Sequence, residues 1–177
     1  HGQREGGRGG VESFSLAEQL SPDSRLTLSG RAVTDNYRVN LLVEKPALGF
    51  YRFGFEQTRY YDADTGGYFP PFTQPTLSLN RNLHLDAGRA WVDFGLTLPD
   101  WPSIVLGYEY QFRHGEKSTL QWGAVGEGAN TRNIFPAYKF IDERTHILKL
   151  DIEHGVGGWQ LSESFRGEWS TLNTRQE

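Results

Sequence analysis

From Leu26 onward, apolar residues recur at every second position. Leu26, Leu28, Gly30 and Ala32 alternate with Thr27, Ser29 and Arg31. After Asp35-Asn36 the parity switches, and Tyr37, Val39, Leu41 and Val43 alternate with Arg38, Asn40 and Glu44. A one-residue change of parity is what a bulge or a tight turn produces, so the run reads either as one long bulged strand or as a hairpin. Lys45-Pro46-Ala47-Leu48-Gly49 marks a short turn, after which Tyr51, Phe53 and Phe55 oppose Arg52, Gly54 and Glu56. Further on, Ala90, Val92, Phe94, Leu96 and Leu98 oppose Arg89, Trp91, Asp93, Gly95 and Thr97. The turn Pro99-Asp100-Trp101-Pro102 follows. Ile104, Leu106, Tyr108, Tyr110 and Phe112 then oppose Val105, Gly107, Glu109, Gln111 and Arg113. Leu148, Leu150 and Ile152 oppose Lys149, Asp151 and Glu153. After the Gly-rich turn His154-Gly155-Val156-Gly157-Gly158, Trp159, Leu161, Phe165 and Trp169 oppose Gln160, Ser162, Ser164, Arg166 and Glu168. Each run is a half-buried strand by its period of two.

The flanks and connections read differently. Residues 1–25 open on the Gly-rich, charged HGQREGGRGG and are expected to be irregular, with only weak helical spacing around Phe14, Leu16 and Leu20. Long connections are expected at about 62–86, which holds Pro70, Pro71 and Pro75, and at about 114–143, where Leu120 to Val125 could extend a strand. The alternating runs are each about ten residues, the length a tilted strand needs to cross a bilayer. Connections of about four residues alternate with connections of about thirty, the short-turn and long-loop arrangement of outer-membrane barrels. The expected fold is therefore all-β, an antiparallel up-and-down meander forming part of a transmembrane β-barrel over residues 26–177. Trp101 at a short turn, Tyr108, Tyr110 and Phe112 towards one strand end, and Trp159 and Trp169 around the last strand fit aromatic girdles at the two interfaces. Glu163 falls on the apolar parity between Leu161 and Phe165, which places it near a rim or next to a bulge.

Composition narrows the choice. The formal net charge of −4 gives no basic patch for nucleic acid. The 177 residues include no Cys, so no disulfide and no thiolate metal site can form. Mean hydropathy is −0.58 and no run of about 18 apolar residues exists, so no transmembrane helix is expected, whereas a barrel spreads its apolar residues over alternate positions. The chain opens at His1 and holds no Met, so an internal piece of a larger barrel, or a chain whose leader was removed, is expected.

Three segments carry a family likeness: RFGFEQTRYYDADTGGYFPP (52–71), LTLPDWPSIVLGYEYQFRHGEKSTLQWG (96–123) and NIFPAYKFIDERTHILKLDIEH (133–154). In strand-and-turn texture they resemble large Gram-negative outer-membrane β-barrel proteins, and among these the MtrB/PioB-like porins, whose barrels sheath multihaem cytochromes. The resemblance implies a porin-like barrel in the outer membrane, with lipid around it and a multihaem cytochrome as partner. No Cys is present for a C-x-x-C-H attachment, so any haem belongs to another chain.

The candidate site is the charged parity. It comprises Arg52, Glu56, Arg89, Asp93, Glu109, Arg113, Lys149, Asp151, Glu153 and Arg166, with Arg38, Glu44 and Glu168 beside them, and is expected to face a lumen. Val92, Phe94, Leu96, Leu106, Tyr108, Tyr110, Leu148, Leu150 and Ile152 are expected to face lipid. The balance of signs argues against strong ion selectivity, which needs a ring of one charge. Weaker candidates are a calcium-loop-like Asp62-Ala63-Asp64-Thr65-Gly66-Gly67, the group Asp142, Glu143 and His146, and the pair His84 and Asp86. Asp/Gly turns and solvated charge are the plainer accounts of these, and no cofactor is expected. Tyr60, Tyr61, Tyr68, Phe69 and Phe72 make the first long loop aromatic, as a sugar-stacking surface or a loop packed on itself. No G-x-S-x-G elbow and no phosphate-binding glycine motif is present, so the expected role is not catalytic. The competing hypothesis is a soluble β-sandwich or lipocalin-like module binding carbohydrate. The two differ in which sheet face is wet.

Overall fold

The computed structural model describes residues 7–62, 82–127 and 130–176. Among them there is no helix. Eight strands form one antiparallel sheet in sequential order: β1 (Gly10–Ser21), β2 (Ser24–Val33), β3 (Asn36–Lys45), β4 (Gly49–Tyr61), β5 (His84–Leu96), β6 (Ser103–Glu127), β7 (Asn130–Val156) and β8 (Trp159–Gln176). This is the expected all-β up-and-down meander. The sheet is open: β1 and β8 are its two edges.

Local chemistry sets the turns. The parity switch at residue 35 is a hairpin, with Asp35 in the left-handed region at φ 63° and Val33 paired to Asn36. Asp35 tolerates that φ better than most residues because its side chain is short and polar. Its carboxylate accepts the Tyr61 hydroxyl at 2.9 Å, and its carbonyl accepts the Arg59 N–H at 2.9 Å, tying the turn to the top of β4. Gly157 and Gly158 both take positive φ (56° and 87°), the backbone that lets a two-residue hairpin match strand twist. Residues 22–23, 46–48, 97–102 and 157–158 turn at one end of the sheet. At that end Asp23 accepts the Ser21 hydroxyl at 2.7 Å and faces Lys45 Nζ at 3.0 Å, which together hold its carboxyl below the usual carboxylate range. The end of β4, the start of β5 and the β6–β7 ladder up to Glu127 and Asn130 lie towards the other end, with the tight turn at Thr34-Asp35 among them.

Two sequence expectations are corrected. Within residues 1–25, Gly10–Ser21 forms β1; Phe14, Leu16 and Glu18 alternate with Ser15, Ala17 and Gln19 opposite β2. Register shifts between Val11 and Phe14 and between Gln19 and Ser21 interrupt the period there. Residues 114–143, expected as a loop, are mostly strand. β6 leaves β5 after Gly115, and β7 meets β8 only from Lys139 onward, so residues 116–138 form a two-stranded arm paired with itself. At a rise of ~3.4 Å per residue the arm is ~40 Å long. Within it Leu120 opposes Pro136, which has no N–H to give, and the Gln176 amide donates to the Leu120 carbonyl at 3.2 Å instead.

From β2 to β5, and along β5–β6 and β7–β8, the register runs without a shift, so parity is preserved across the sheet. Glu163 lies opposite Ile152, four residues short of the Val156–Trp159 pair that closes the hairpin, with no bulge beside it.

Glycines admit rings on both faces. Gly54 opposes Trp91, and a Cβ on it would meet the indole at 2.0 Å; Gly95 lies under Phe50 in the same way. Gly54→Ala is expected to displace the Trp91 ring and destabilise the fold by about 1–3 kcal/mol. Gly167→Ala, which has only Phe165 at 3.9 Å nearby, is expected to be near neutral by comparison. Guanidinium unfolding in detergent micelles measures both.

Candidate functional site

The paired strands put every charged candidate on one face: Arg52, Glu56, Arg89, Asp93, Glu109, Arg113, Lys149, Asp151, Glu153 and Arg166, together with Arg38, Glu44 and Glu168. Val92, Phe94, Leu96, Leu106, Tyr108, Tyr110, Leu148, Leu150 and Ile152 share the opposite face. One apolar row illustrates the alignment: Leu41, Phe53, Val92, Tyr108 and Leu148 are successive cross-strand partners.

Burial separates the two faces in an unusual sense. The buried strand residues among those described are Gly54, Gly95, Gly107, Glu109, Gly115, Ala137, Ile141 and Ile147. All of them lie on the charged face. The exposed large hydrophobic side chains lie mostly on the other face, among them Phe94 (55%), Leu106 (53%) and Phe165 (67%); Tyr60 and Leu172 are exceptions. A water-soluble sheet hides its apolar face and wets its charged one. Here the buried strand positions, Glu109 among them, lie on the charged face, while its arginines stay about half exposed.

The charges on this face are stitched across five strands. Arg38 reaches Glu56 at 2.5 Å, Glu56 accepts from Arg89 Nε at 2.7 Å, Arg89 lies 3.7 Å from Glu109, and Glu109 receives Lys149 Nζ at 2.5 Å. Gln111 adds an N–H to Glu109 at 2.7 Å. Glu109, 5% exposed, is the buried centre of this chain of alternating signs. Burying a carboxylate is tolerable only when its oxygens are hydrogen-bonded and its charge is compensated. Arg52 pairs with Asp93 at 3.4 Å, Arg113 with Glu143 at 2.9 Å and Arg166 with Glu168 at 2.8 Å, while Asp151 accepts the Ser164 hydroxyl at 2.5 Å. Aromatic rings lie among these groups. The Arg89 guanidinium sits 4.8 Å from the Trp91 ring centre and Arg52 4.6 Å from that of Phe50.

A hollow of about 560 Å³ opens on this face towards the loop end. Arg31, Arg38, Glu56, Arg89, Arg113 and Glu143 line it, with the polar side chains of Asn36, Thr58, Gln111 and Thr145 between them. Arg31 was not among the expected lumen residues. Its place follows once the turn is fixed at residues 34–35, because counting outward from Val33 and Asn36 sets Arg31 opposite Arg38.

The weaker candidates are dispersed. Glu143 pairs with Arg113 on the charged face, while Asp142 and His146 lie on the other. Asp142 meets Arg144 at 3.0 Å and His114 at 3.8 Å. His146 Nδ1 is 2.7 Å from the Tyr108 hydroxyl, and its ring stacks on Trp169 at 5.7 Å. Asp86 binds Arg59 at 2.6 Å, and His84 Nδ1 lies against the Asn82 carbonyl at 2.9 Å. Among the described residues no group of three or more His, Asp or Glu side chains could hold a metal ion. The calcium-loop-like stretch from Ala63 on, and Tyr68, Phe69 and Phe72, lie outside the described residues.

Compared with protein families, curated proteins and solved structures, the chain matches none.

Replacing Glu109 by Gln leaves Lys149 and Arg89 without their shared counter-charge. Lys149 keeps partial access to water, so the expected loss is about 2 kcal/mol, below that of a fully buried broken pair. The double variant with Lys149→Met recovers at least half of it, whereas Arg166→Ala, in an exposed pair, costs under about 0.5 kcal/mol. Equilibrium unfolding of the four proteins tests this ordering.

Proposed function

We propose that the chain forms part of a porin-like β-barrel of a Gram-negative outer membrane, with the charged face lining a polar interior and the apolar face against lipid. The observation that carries this proposal is the distribution of burial: an ion-paired charged face that holds the buried strand positions, Glu109 included, backed by exposed Phe94, Leu106, Leu148 and Phe165. Dimensions agree with it. The rows run from Leu96, Ile104 and Ile152 to a mixed row in which Gly88 and Phe112 lie between Gln57 and Arg144, ~27 Å along the strand, or ~21 Å across the membrane at a ~40° tilt, against a band of ~25 Å in such barrels. Beyond them the same parity turns polar, with Arg59, Asp86, His114 and Asp142 in one row. Tyr110, Phe112 and Trp169 lie near the loop-end border, and Trp101 and Trp159 at the turn end, as interfacial aromatics do.

The two sheet edges need strand partners in a bilayer, because unpaired N–H and C=O groups find no water there. The proposed state is therefore a barrel completed by further strands. Its interior passes polar solutes or encloses a partner, for which the sequence likeness offers a multihaem cytochrome, and its role is not catalytic. The alternative, a soluble ligand-binding sheet, would have the apolar face covered by protein.

Site-directed spin labelling of the full-length chain in lipid vesicles distinguishes the two. Labels at Val92, Phe94, Leu106 and Leu150 are expected to be accessible to oxygen and shielded from a polar quencher. Labels at Arg113 and Asp151 are expected to show the opposite. If the first set is shielded from both reagents while the second sees bulk water, the membrane proposal fails and the soluble alternative takes its place.

A further inference from the structure

The signs balance over the charged face as a whole, but not within the hollow. Four guanidinium groups, from Arg31, Arg38, Arg89 and Arg113, line it against two carboxylates, Glu56 and Glu143. Both carboxylates are engaged: Glu56 by Arg38 and Arg89, Glu143 by Arg113. Glu109, below the hollow, is taken up by Lys149 and Gln111. Arg31 has no ion pair or hydrogen bond among the described residues, yet it stands directly opposite Arg38 in the β2–β3 ladder. Like charges at directly opposed positions destabilise a sheet. Nothing in the packing of β2 and β3 requires this one, since the neighbouring pairs Ser29–Asn40 and Thr27–Leu42 are uncharged.

We infer that this hollow binds a small oxyanion, a phosphate or carboxylate group, held between Arg31 and Arg38 with Arg89 and Arg113 at its margin. Guanidinium forks suit such groups because two parallel N–H bonds meet two oxygens. The side chains of Arg38, Arg89 and Arg113 are roughly half exposed despite their ion pairs, so each has N–H groups left to donate. A bound anion removes the Arg31–Arg38 repulsion and supplies the two missing negative charges. The site stands on the geometry of the charged face and does not depend on whether the opposite face meets lipid.

Phosphorus-31 NMR of inorganic phosphate, titrated against the full-length chain in detergent micelles, tests the inference. Saturable line broadening is expected. Arg31→Gln is expected to weaken it about tenfold, the share of one charge-assisted contact, while leaving thermal stability unchanged or slightly raised because a like-charge contact is removed. Arg25→Gln, on the same face at the turn end opposite Glu44, is expected to change the affinity less than twofold. Broadening that does not saturate, or that Arg31→Gln and Arg25→Gln reduce equally, overturns the site. A marked loss of stability in Arg31→Gln overturns it too, since Arg31 would then be structural.

Discussion

The structure depends on one constraint, the near-unbroken pairing of neighbouring strands. Side chains alternate between faces, so a slip of one residue anywhere in the central strands would mix the charged set with the apolar set. The ladder from Asn36–Thr58 through to Leu96–Ile104 contains no such slip. The ion-paired chain of Arg38, Glu56, Arg89, Glu109 and Lys149 can exist only because five strands hold their registers together. In turn it reinforces them, because sliding any strand would strand Glu109 without a counter-charge. Turn chemistry fixes the register locally through Asp35 and the Gly157-Gly158 pair, and the ion pairs fix it across the sheet.

Glycine and aromatic residues complete that face. Charged side chains alone would leave its backbone uncovered at the glycine positions. Trp91 covers Gly54 and Phe50 covers Gly95, each with a guanidinium over its ring. The charged face is thus a mosaic in which flat apolar rings separate clusters of paired charge.

Much of this was legible in the sequence. Period-two alternation marked alternating runs within β2 to β8 and assigned the charged and apolar candidates to opposite faces, because those runs obey a simple in-and-out rule. It failed where other physics intervened. In β1, register shifts near Val11 and Gln19 break the period, and glycines hide the strand's start. In the arm, Pro136 and the glycines at 123, 126 and 128 read as loop, although β6 and β7 support one another there and the Gln176 side chain replaces the missing donor. The hollow was not legible either. It depends on which strands are neighbours and on a two-residue turn, and parity alone left open whether residues 26–44 formed one strand or two. Once that turn is known, Arg31 opposite Arg38 follows by counting.

The arm has a mechanical consequence. Among the described residues, 116–127 and 130–138 have no second strand laddered beside them, so the arm resists bending through its own pairing, the twist of a two-stranded ribbon and side-chain contacts such as that of Gln176 with Leu120. A force on the far end of the arm works through a lever whose fulcrum is the β6–β7 seam. That seam also carries Glu109 and Lys149. A load on the arm and the Glu109–Lys149 pair on the charged face therefore share one joint.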